Sequence, residues 1–234
     1  MSNSFRTTNS TGLINKDKKI NFTFNGTIYH GYEGDTLASA LIANGVHLVG
    51  RSFKYHRPRG FLGVGVEEPN AMVQLHDGNK SEPNIIATEV ELVEGLKAKS
   101  QNCWPSVQFD IGEINNVLNR FFPAGFYYKT FMWPKSFWMK IYEPFIRKAA
   151  GMGKAPLLPD PDRYEHNYEH CDVLVVGSGP SGLASALAAA KNGARVILAE
   201  DKPNFGGSLL TDEVTIGNMS GKEWASDTLS LIHI

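Results

Sequence analysis

Three glycines in the last third of the chain have the spacing of a phosphate-binding turn. Gly177, Gly179 and Gly182 form G-x-G-x-x-G within "DVLVVGSGPSGLASALAAAKNG". The first glycine permits a tight turn, the second lets the backbone approach a pyrophosphate, and the third lets a helix pack closely on a strand. The N–H groups at the N-terminus of that helix favour a phosphate. The motif therefore predicts a site for an adenine dinucleotide.

The segments around these glycines predict the elements that would position them. "DVLVVG" is a continuous apolar run, which is typical of a buried parallel strand, and the alanine-rich helix after the turn ends near Gly193. A second strand, "ARVILAE", ends at Glu200, whose carboxylate is placed to accept the ribose hydroxyls. A 2′-phosphate would face that negative charge, which disfavours NADP. A glycine-rich turn in an unrelated α/β protein is the alternative.

A glycine pair follows the acidic residue and bears on which dinucleotide binds. Gly206 and Gly207 lie in "EDKPNFGGSLL", a pattern frequent in two-domain flavoproteins whose first unit of this kind holds FAD. The pattern alone therefore favours FAD. The residues that we expect to bind the cofactor are those of the turn, the acid with its neighbour, and this pair: Gly177, Ser178, Gly179, Pro180, Ser181, Gly182, Glu200, Asp201, Gly206 and Gly207.

A cationic stretch, "RSFKYHRPRGFLGVGVEEPN", occupies residues 51–70. Two interpretations are open. The cations form a solvated face, or Arg57 and Arg59, in a loop stiffened by proline, contact an anion such as the dinucleotide pyrophosphate or an acidic partner surface. The net charge of −1 argues against a nucleic-acid partner.

Composition indicates an ordinary globular protein. The 234 residues are 42% apolar, enough for one large or two modest domains. We find no apolar run of about 18 residues for a membrane span and no secretory signal in the first residues. Cys103 and Cys171 are the two cysteines, which suggests a reducing compartment. We expect a cytoplasmic protein that does not bind membranes.

The N-terminal part has the pattern of a small α+β domain. After a disordered segment at residues 1–19, we expect a domain over residues 20–100 with a hairpin at Asn25-Gly26. A helix capped by Asp35 and ended by Gly45 would follow. "NAMVQL" and "IIATEVEL" predict two further strands. Hairpin, helix and strands together predict a β-grasp arrangement.

Residues 101–170 differ in composition from the segments before and after them. The 25 positions from Phe121 to Phe145 hold 11 of the 25 aromatic residues of the chain. They form either a core of short connecting helices or a contact surface for another subunit, since interface centres favour aromatic residues and methionine. A polar, proline-containing linker follows. Residues 171–234 then give a partial Rossmann-like domain, so the chain combines α/β and α+β classes.

Four stretches together resemble the alpha subunit of heterotetrameric sarcosine oxidase, from about residue 20 to residue 228. They are "GDTLASALIANGVHLVGRSFKYHRPRG", "EEPNAMVQL", the dinucleotide motif with its flanks, and "GGSLL". The resemblance implies oxidative demethylation of sarcosine to glycine, with hydrogen peroxide and 5,10-methylenetetrahydrofolate formed from oxygen and tetrahydrofolate. It implies NAD⁺ in the site above, with FAD as the alternative. It also implies beta, gamma and delta subunits as partners, with FAD in the beta subunit and FMN at the alpha–beta interface.

The N-terminal domain is also similar to the β-grasp [2Fe–2S] domain of related amine and opine dehydrogenases and of hydrogen cyanide synthase. Plant-type ferredoxins hold their cluster with C-x₄-C-x₂-C and a distant cysteine. With the register anchored on Gly63-Val64-Gly65-Val66, those positions fall at Leu62, Glu67 and Asn70. None is a thiolate, so we expect a ferredoxin-like fold without an iron–sulfur cluster.

The C-terminal part predicts an incomplete domain. Only 34 residues follow Glu200, and "LIHI" departs from the family pattern after "GKEWASDTLS". The family's alpha subunit is several times longer, with an aminomethyltransferase-like domain beyond. We therefore expect a truncated reading frame with no catalytic or metal-binding residue, no oxidase activity when isolated, and weak NAD⁺ binding. The alternatives are a subunit of a related flavin-linked amine or opine dehydrogenase, or a non-catalytic dinucleotide-binding scaffold.

Overall fold

The computed structural model describes residues 5–7, 14–121, 125, 131–149, 151, 153 and 155–232. The chain divides into two compact units, Met1–Asp162 and Arg163–Ile234. The second unit thus starts at residue 163, whereas the sequence predicted a domain start at residue 171. None of the helices in these described ranges has the length and apolar character that crossing a bilayer requires.

The first unit is built on a five-stranded mixed sheet. Its strands are β1 (Asn15–Phe24), β2 (Thr27–Glu33), β5 (Met72–Leu75), β6 (Glu82–Ile86) and β7 (Lys97–Ser100), and the short strands β3 (Gly50–Arg51) and β4 (Pro58–Arg59) pair beside it. The sheet order is β2-β1-β7-β5-β6, and β1 pairs antiparallel with β2 but parallel with β7. The predicted hairpin is confirmed. Asn25 and Gly26 both have positive φ, 50° and 80°, as a two-residue type I′ turn requires.

Helix α1 (Leu37–Ala43) supplies the other layer of this unit. Its apolar side chains Leu37 and Leu41 are fully buried, together with Phe22, Phe24 and Val73 of the sheet. Gly45, with φ of 77°, follows the C-cap as predicted. A hairpin, a crossing helix and a strand parallel to β1 make the β-grasp fold that the sequence indicates.

The predicted cap of α1 is wrong by one residue. Thr36 is the N-cap and forms a capping box with Ser39. Asp35 points inward instead and is 1% exposed. Its carboxylate accepts from the Tyr32 N–H at 2.9 Å, from the Ser39 hydroxyl at 2.7 Å, and from both terminal nitrogens of Arg6 at 3.1 and 2.6 Å. A buried carboxylate with this many donors cannot also cap the helix.

That contact also corrects the predicted disordered segment, residues 1–19. Arg6 binds a buried side chain, and β1 begins at Asn15 rather than near residue 20. Residues 1–4 and 8–13 of the segment lie outside the described residues. The ordered fold therefore starts before the boundary that the hydrophobic pattern indicated.

The last predicted strands of the sheet are partly misplaced. "NAMVQL" contains β5, as predicted, but β6 ends at Ile86 in the middle of "IIATEVEL". The chain then turns, and β7 follows at Lys97–Ser100. Ala98 is the one buried residue of β7, so this strand carries almost no hydrophobic signal. Its position is set by pairing with β1 and β5, which sequence periodicity does not reveal.

Part of the cationic stretch turns inward, so it is not simply a solvated face. Arg51 is buried, and its guanidinium donates to the carbonyls of Val107 at 2.8 Å, His56 at 2.9 Å and Gln108 at 3.2 Å. It also pairs with the Glu113 carboxylate at 3.1 Å. Arg51 therefore fastens the segment after β7 against the β3–β4 pair.

A second buried residue, Asp110, also holds the segment after β7 against the loop between β3 and β4. Asp110 has an Oδ2 atom 2.6 Å from His56 Nδ1, and its Oδ1 accepts the N–H groups of Trp104 at 3.0 Å and Gly112 at 3.1 Å. A Cβ at Gly112 would lie 2.2 Å from the His56 ring. Only glycine therefore allows this close approach.

Many of the described large side chains in the aromatic segment are exposed to solvent. It contains helix α2 (Ile114–Val117), a π-helical turn at Trp138–Tyr142 and helix α3 (Glu143–Ala149). Trp133 is 83% exposed and Phe145 67% exposed. Aromatic residues at 122 and 126–128 lie outside the described residues. Among residues 131–149, the large apolar side chains do not form a core, which favours the contact-surface interpretation.

The second unit contains the predicted strand–helix–strand. Strand β8 (Val173–Val176) pairs in parallel with β9 (Val196–Ala199), and helix α4 (Pro180–Lys191) connects them. The short pair β10 (Thr215–Ile216) and β11 (Met219–Ser220) and helix α5 (Gly221–Ile232) follow. Leu183, Leu209 and Ala225 form its small core. Leu174 and Val176 of β8 are exposed, so one face of this parallel pair is uncovered, although such sheets are usually covered on both faces.

Replacing Asp110 with alanine tests the fastening of the segment after β7. The Asp110→Ala variant leaves His56 Nδ1 and two backbone N–H groups without their acceptor, so we expect a loss of about 3 kcal/mol in the free energy of unfolding. Urea denaturation measures it. The control is Asp77→Ala, whose exposed carboxylate makes only loose ion pairs with Lys97 and Lys99 and should change stability by less than about 0.5 kcal/mol. Equal effects of the two substitutions would contradict the assignment.

Candidate functional site

The glycine-rich turn begins directly after β8. Gly177 has φ of 93°, a left-handed conformation in which other residues are strained. Its N–H donates to the Ala199 carbonyl at 2.8 Å, at the end of β9. The turn is thus tied to the second strand at the point where both parallel strands end.

Two glycines allow backbone to approach backbone. A Cβ at Gly182 would lie 2.0 Å from the Gly177 carbonyl oxygen, and a Cβ at Gly207 would lie 3.0 Å from Gly179 Cα. The first contact packs α4 onto the turn. The second packs the later glycine pair against the same turn, which gives that pair a structural role.

Gly179 differs from its neighbours, because nothing in the protein demands a glycine there. Its φ is −64°, which any residue adopts, and an added Cβ would meet no atom within 4 Å. The open space lies at the N-cap of α4, where Pro180 starts the helix and no side chain caps it. The N–H groups of Ser181 and Gly182 belong to the first turn and have no partner within the helix. A side chain at residue 179 would therefore occupy the open space at the start of the helix.

Glu200 faces the turn from the end of β9. Its Oε2 accepts the Ser178 N–H at 2.7 Å and the Ser178 hydroxyl, and its Oε1 accepts the N–H groups of Asp201 at 3.0 Å and Lys202 at 3.2 Å. The hydrogen bond from the Ser178 hydroxyl, with those from the N–H groups of Ser178 and Lys202, lowers the pKa of Glu200 to about 2 against the opposing effect of burial. Glu200 is therefore a fixed negative charge beside the turn.

Ser178 is the residue whose structural role the sequence did not reveal. It is fully buried, and its hydroxyl and carbonyl oxygens both lie within hydrogen-bond distance of the Gly206 N–H, at 3.2 and 3.1 Å. Ser178 thus connects the turn, β9 and the later glycine pair. The serine between the first two glycines of G-x-G-x-x-G is the sequence signal that could have pointed to this structural role.

The structure brings most of the predicted residues together. The turn from Gly177 to Gly182, Glu200 and the Gly206–Gly207 pair lie in one place. Asp201 contributes its backbone N–H to Glu200, while its side chain is exposed.

Arg57 and Arg59 lie in the first compact unit. Arg57 Nε donates to the Asn116 side chain at 2.7 Å, and its guanidinium stacks on Tyr55 at 4.8 Å from the ring centroid. Arg59 is exposed on β4. Their role toward an anion stays a prediction.

Two family models match the two parts of this chain. The model described as "2Fe-2S iron-sulfur cluster binding domain" matches residues 17–103, and that described as "FAD dependent oxidoreductase" matches residues 172–228. These matches agree with the β-grasp unit and the Rossmann-like unit of the structure.

The residues at the predicted cluster positions do not fit an iron–sulfur cluster. Leu62, Glu67 and Asn70 supply no sulfur, and the chain has two cysteines in total. Within the described ranges, no group of three or more His, Cys, Asp or Glu side chains is arranged to hold a metal ion. No electron-transfer step through a cluster is therefore assigned to this chain.

The known proteins that match most of this chain include three sarcosine oxidase alpha subunits. Sarcosine oxidase subunit alpha of Rhizobium meliloti (strain 1021) is 57% identical over 217 residues, which are 93% of this chain and 22% of that relative. The subunit of the same name from Corynebacterium sp. (strain U-96) is 33% identical over 199 residues, 84% of this chain and 16% of the relative. The chain thus spans about a fifth of the length of these relatives.

One solved structure aligns with most of the chain. L-proline dehydrogenase from P. horikoshii covers 95% of this chain and 32% of that chain, with 18% sequence identity and a TM-score of 0.47. The sequence relationship is the informative one: over nearly all of its own length, this chain is a homologue of sarcosine oxidase alpha subunits.

Proposed function

We propose that this chain forms the N-terminal part of an alpha subunit of heterotetrameric sarcosine oxidase. The complex would demethylate sarcosine oxidatively to glycine, with hydrogen peroxide and 5,10-methylenetetrahydrofolate formed. Homology to sarcosine oxidase alpha subunits supports this assignment. In the complex, this chain binds a dinucleotide and contacts the beta, gamma and delta subunits, in the cytoplasm. A subunit of a related flavin-linked amine or opine dehydrogenase is the alternative.

The dinucleotide site consists of the open turn and the fixed charge beside it. The Ser181 and Gly182 N–H groups at the start of α4 would receive the pyrophosphate, and Glu200 would face the adenosine ribose. The observation that carries this proposal is the glycine at position 179, which neither the backbone conformation nor packing requires.

NAD⁺ is the proposed occupant. Such a cofactor supplies hydride-transfer chemistry when it is bound to a dehydrogenase, but we assign no catalytic residue to this chain. In this proposal, the chain holds the dinucleotide, and the negative charge of Glu200 excludes a dinucleotide that carries a 2′-phosphate. The family match described as FAD dependent oxidoreductase supports FAD as the second candidate for the same site. In the proposed complex, the further FAD and the FMN belong to the beta subunit and its interface with alpha.

The aromatic segment is the proposed subunit contact. Its exposed tryptophan, phenylalanine and methionine side chains are of the types that interface centres favour. Lys135 and Lys140 lie among them, so the matching surface would be apolar with an acidic rim.

Gly179 and Gly182 offer a matched pair of alanine substitutions. Gly179→Ala should leave the fold intact, since its Cβ meets nothing, but should weaken dinucleotide binding at least about tenfold by occupying the pyrophosphate space. Gly182→Ala should destabilise the second unit, since its Cβ overlaps the Gly177 carbonyl. Calorimetric titration with NAD⁺ and with FAD, beside thermal melting, separates the two effects. Unchanged binding by a folded Gly179→Ala variant would refute the site, and the tighter ligand identifies the cofactor.

Removing the charge of Glu200 should relax the choice between NAD⁺ and NADP⁺. We expect Glu200→Gln to lower the ratio of the two affinities at least about tenfold, because the 2′-phosphate no longer meets a like charge. Glu213→Gln, the same change at an exposed glutamate of this unit that is not among the site residues, is the matched control and should keep the wild-type ratio. Competition binding measures the ratio, and an unchanged ratio in Glu200→Gln would count against the ribose assignment.

The same variant has a pH signature. The folded pKa of Glu200, about 2, lies below the ordinary value of about 4.3. Its contribution to stability is therefore fully present above the ordinary value and is lost as pH falls toward 2. In wild type the melting temperature should fall over this window more steeply than in Glu200→Gln.

Substitutions in the aromatic segment test the subunit contact. Trp133→Ser combined with Phe145→Ser should reduce co-purification with the beta, gamma and delta subunits at least about tenfold, since buried aromatic residues dominate interface energies. Ile28→Ser removes an apolar side chain of similar exposure, 76%, from the β1–β2 hairpin and serves as the control. Equal recovery of partner subunits with the double variant would exclude this surface.

A further inference from the structure

One buried carboxylate organises the loop that in cluster-binding relatives would surround the iron. Glu68 is 3% exposed. Its Oε2 accepts the N–H groups of Leu62 at 2.6 Å and Gly63 at 2.7 Å, and its Oε1 accepts those of Asn70 at 2.7 Å and Ala71 at 3.2 Å. Four backbone donors from both ends of the loop therefore converge on one anion.

The electrostatics agree with an ionised carboxylate. Burial raises the pKa of Glu68, but the hydrogen bonds from the N–H groups of Gly63, Leu62, Asn70 and Ala71 together outweigh it and hold the pKa below its ordinary value. Several backbone N–H groups that point at one oxygen pair form an anion-binding nest of the kind that also occurs at iron–sulfur and phosphate sites.

The position of this nest coincides with the predicted cluster register. Leu62 and Asn70, at the first and third positions of C-x₄-C-x₂-C, donate their N–H groups to Glu68. A [2Fe–2S] cluster with four thiolates is itself an anion whose sulfurs accept such N–H groups. In this chain, a carboxylate accepts them.

The loop is closed around the carboxylate. A Cβ at Gly63 would lie 3.0 Å from the Glu67 carbonyl oxygen and 3.3 Å from Glu68 Cα, so the two sides of the loop are already in contact. Gly65 has φ of 54°, and its carbonyl accepts the Thr88 hydroxyl at 2.6 Å. These contacts fix the loop without any metal.

We propose that the Glu68 carboxylate is an internal anion that takes the place of the iron–sulfur cluster, so that the β-grasp unit folds and keeps its cluster loop without iron. Glu68 is a positioning residue in this role, acting through the backbone of residues 62–71. The inference rests on this loop alone and is independent of the dinucleotide site.

The test uses the whole chain with three substitutions. Glu68→Ala removes the anion, Glu68→Gln keeps its volume but turns an amide NH₂ toward two of the donors, and Glu67→Gln alters the exposed neighbouring carboxylate as the control. Hydrogen exchange is measured at the amides of Leu62, Gly63, Asn70 and Ala71. We expect exchange at least about tenfold faster in both Glu68 variants, from the loss of charged hydrogen bonds, and wild-type exchange in Glu67→Gln.

Rescue by an added anion distinguishes this role from ordinary packing. Formate should restore protection of these amides in Glu68→Ala, because it can occupy the nest, and should not change wild type or Glu67→Gln. Faster exchange without rescue in a folded Glu68→Ala variant would overturn the proposal, as would unchanged exchange. Refolding of an unfolded variant on addition of formate would support it.

Wild type supplies a further readout if both Glu68 variants fail to fold with or without formate. Because the folded pKa of Glu68 is below its ordinary value, its stabilisation is present above the ordinary value and lost as pH falls through the lowered one. Protection of the four amides, corrected for intrinsic exchange, should fall in this window before the protection of the β5 amides does. Protection that is independent of pH would contradict the proposal. So would stoichiometric iron and sulfide in wild type after reconstitution.

Discussion

Backbone N–H groups that converge on a negative charge organise both of the important loops of this chain. In the first unit, four N–H groups bind Glu68. In the second, three N–H groups and a hydroxyl bind Glu200. Both carboxylates have lowered pKa values, because hydrogen bonds to the charged form outweigh the cost of desolvation. Each loop conformation therefore depends on an ionised acid.

The start of α4 presents the same chemistry without an internal anion. The N–H groups of Ser181 and Gly182 have no partner within the helix, no side chain caps it, and the space at Gly179 is open. The two loops differ in whether the chain itself supplies the anion that the N–H groups bind. The Glu68 loop supplies its own anion, whereas the open donors at the start of α4 are those that we propose bind an external phosphate.

The features that the sequence predicted are those that depend on residues close together in the chain. The Asn25-Gly26 turn and the glycine spacing after β8 are local, because each position has its own backbone or packing requirement. Asp35 was misassigned because its partner Arg6 lies 29 residues away. Strand β7 was missed for the same kind of reason: its place depends on pairing with β1. Glu68 lies in a stretch that carries the family resemblance, but its role was not predicted because its donors are main-chain groups.

The hydrogen bonds of Glu200 also limit what it can contribute to dinucleotide binding in the proposed complex. A carboxylate has about four acceptor positions, and Ser178, Asp201 and Lys202 already supply four donors. The three N–H donors are fixed by the backbone, but the Ser178 hydroxyl can rotate. A ribose hydroxyl that binds Glu200 therefore replaces that hydroxyl, and one hydrogen bond is exchanged for another. The net gain in affinity is small, while the repulsion of a 2′-phosphate keeps its full strength, so Glu200 acts through specificity more than through affinity.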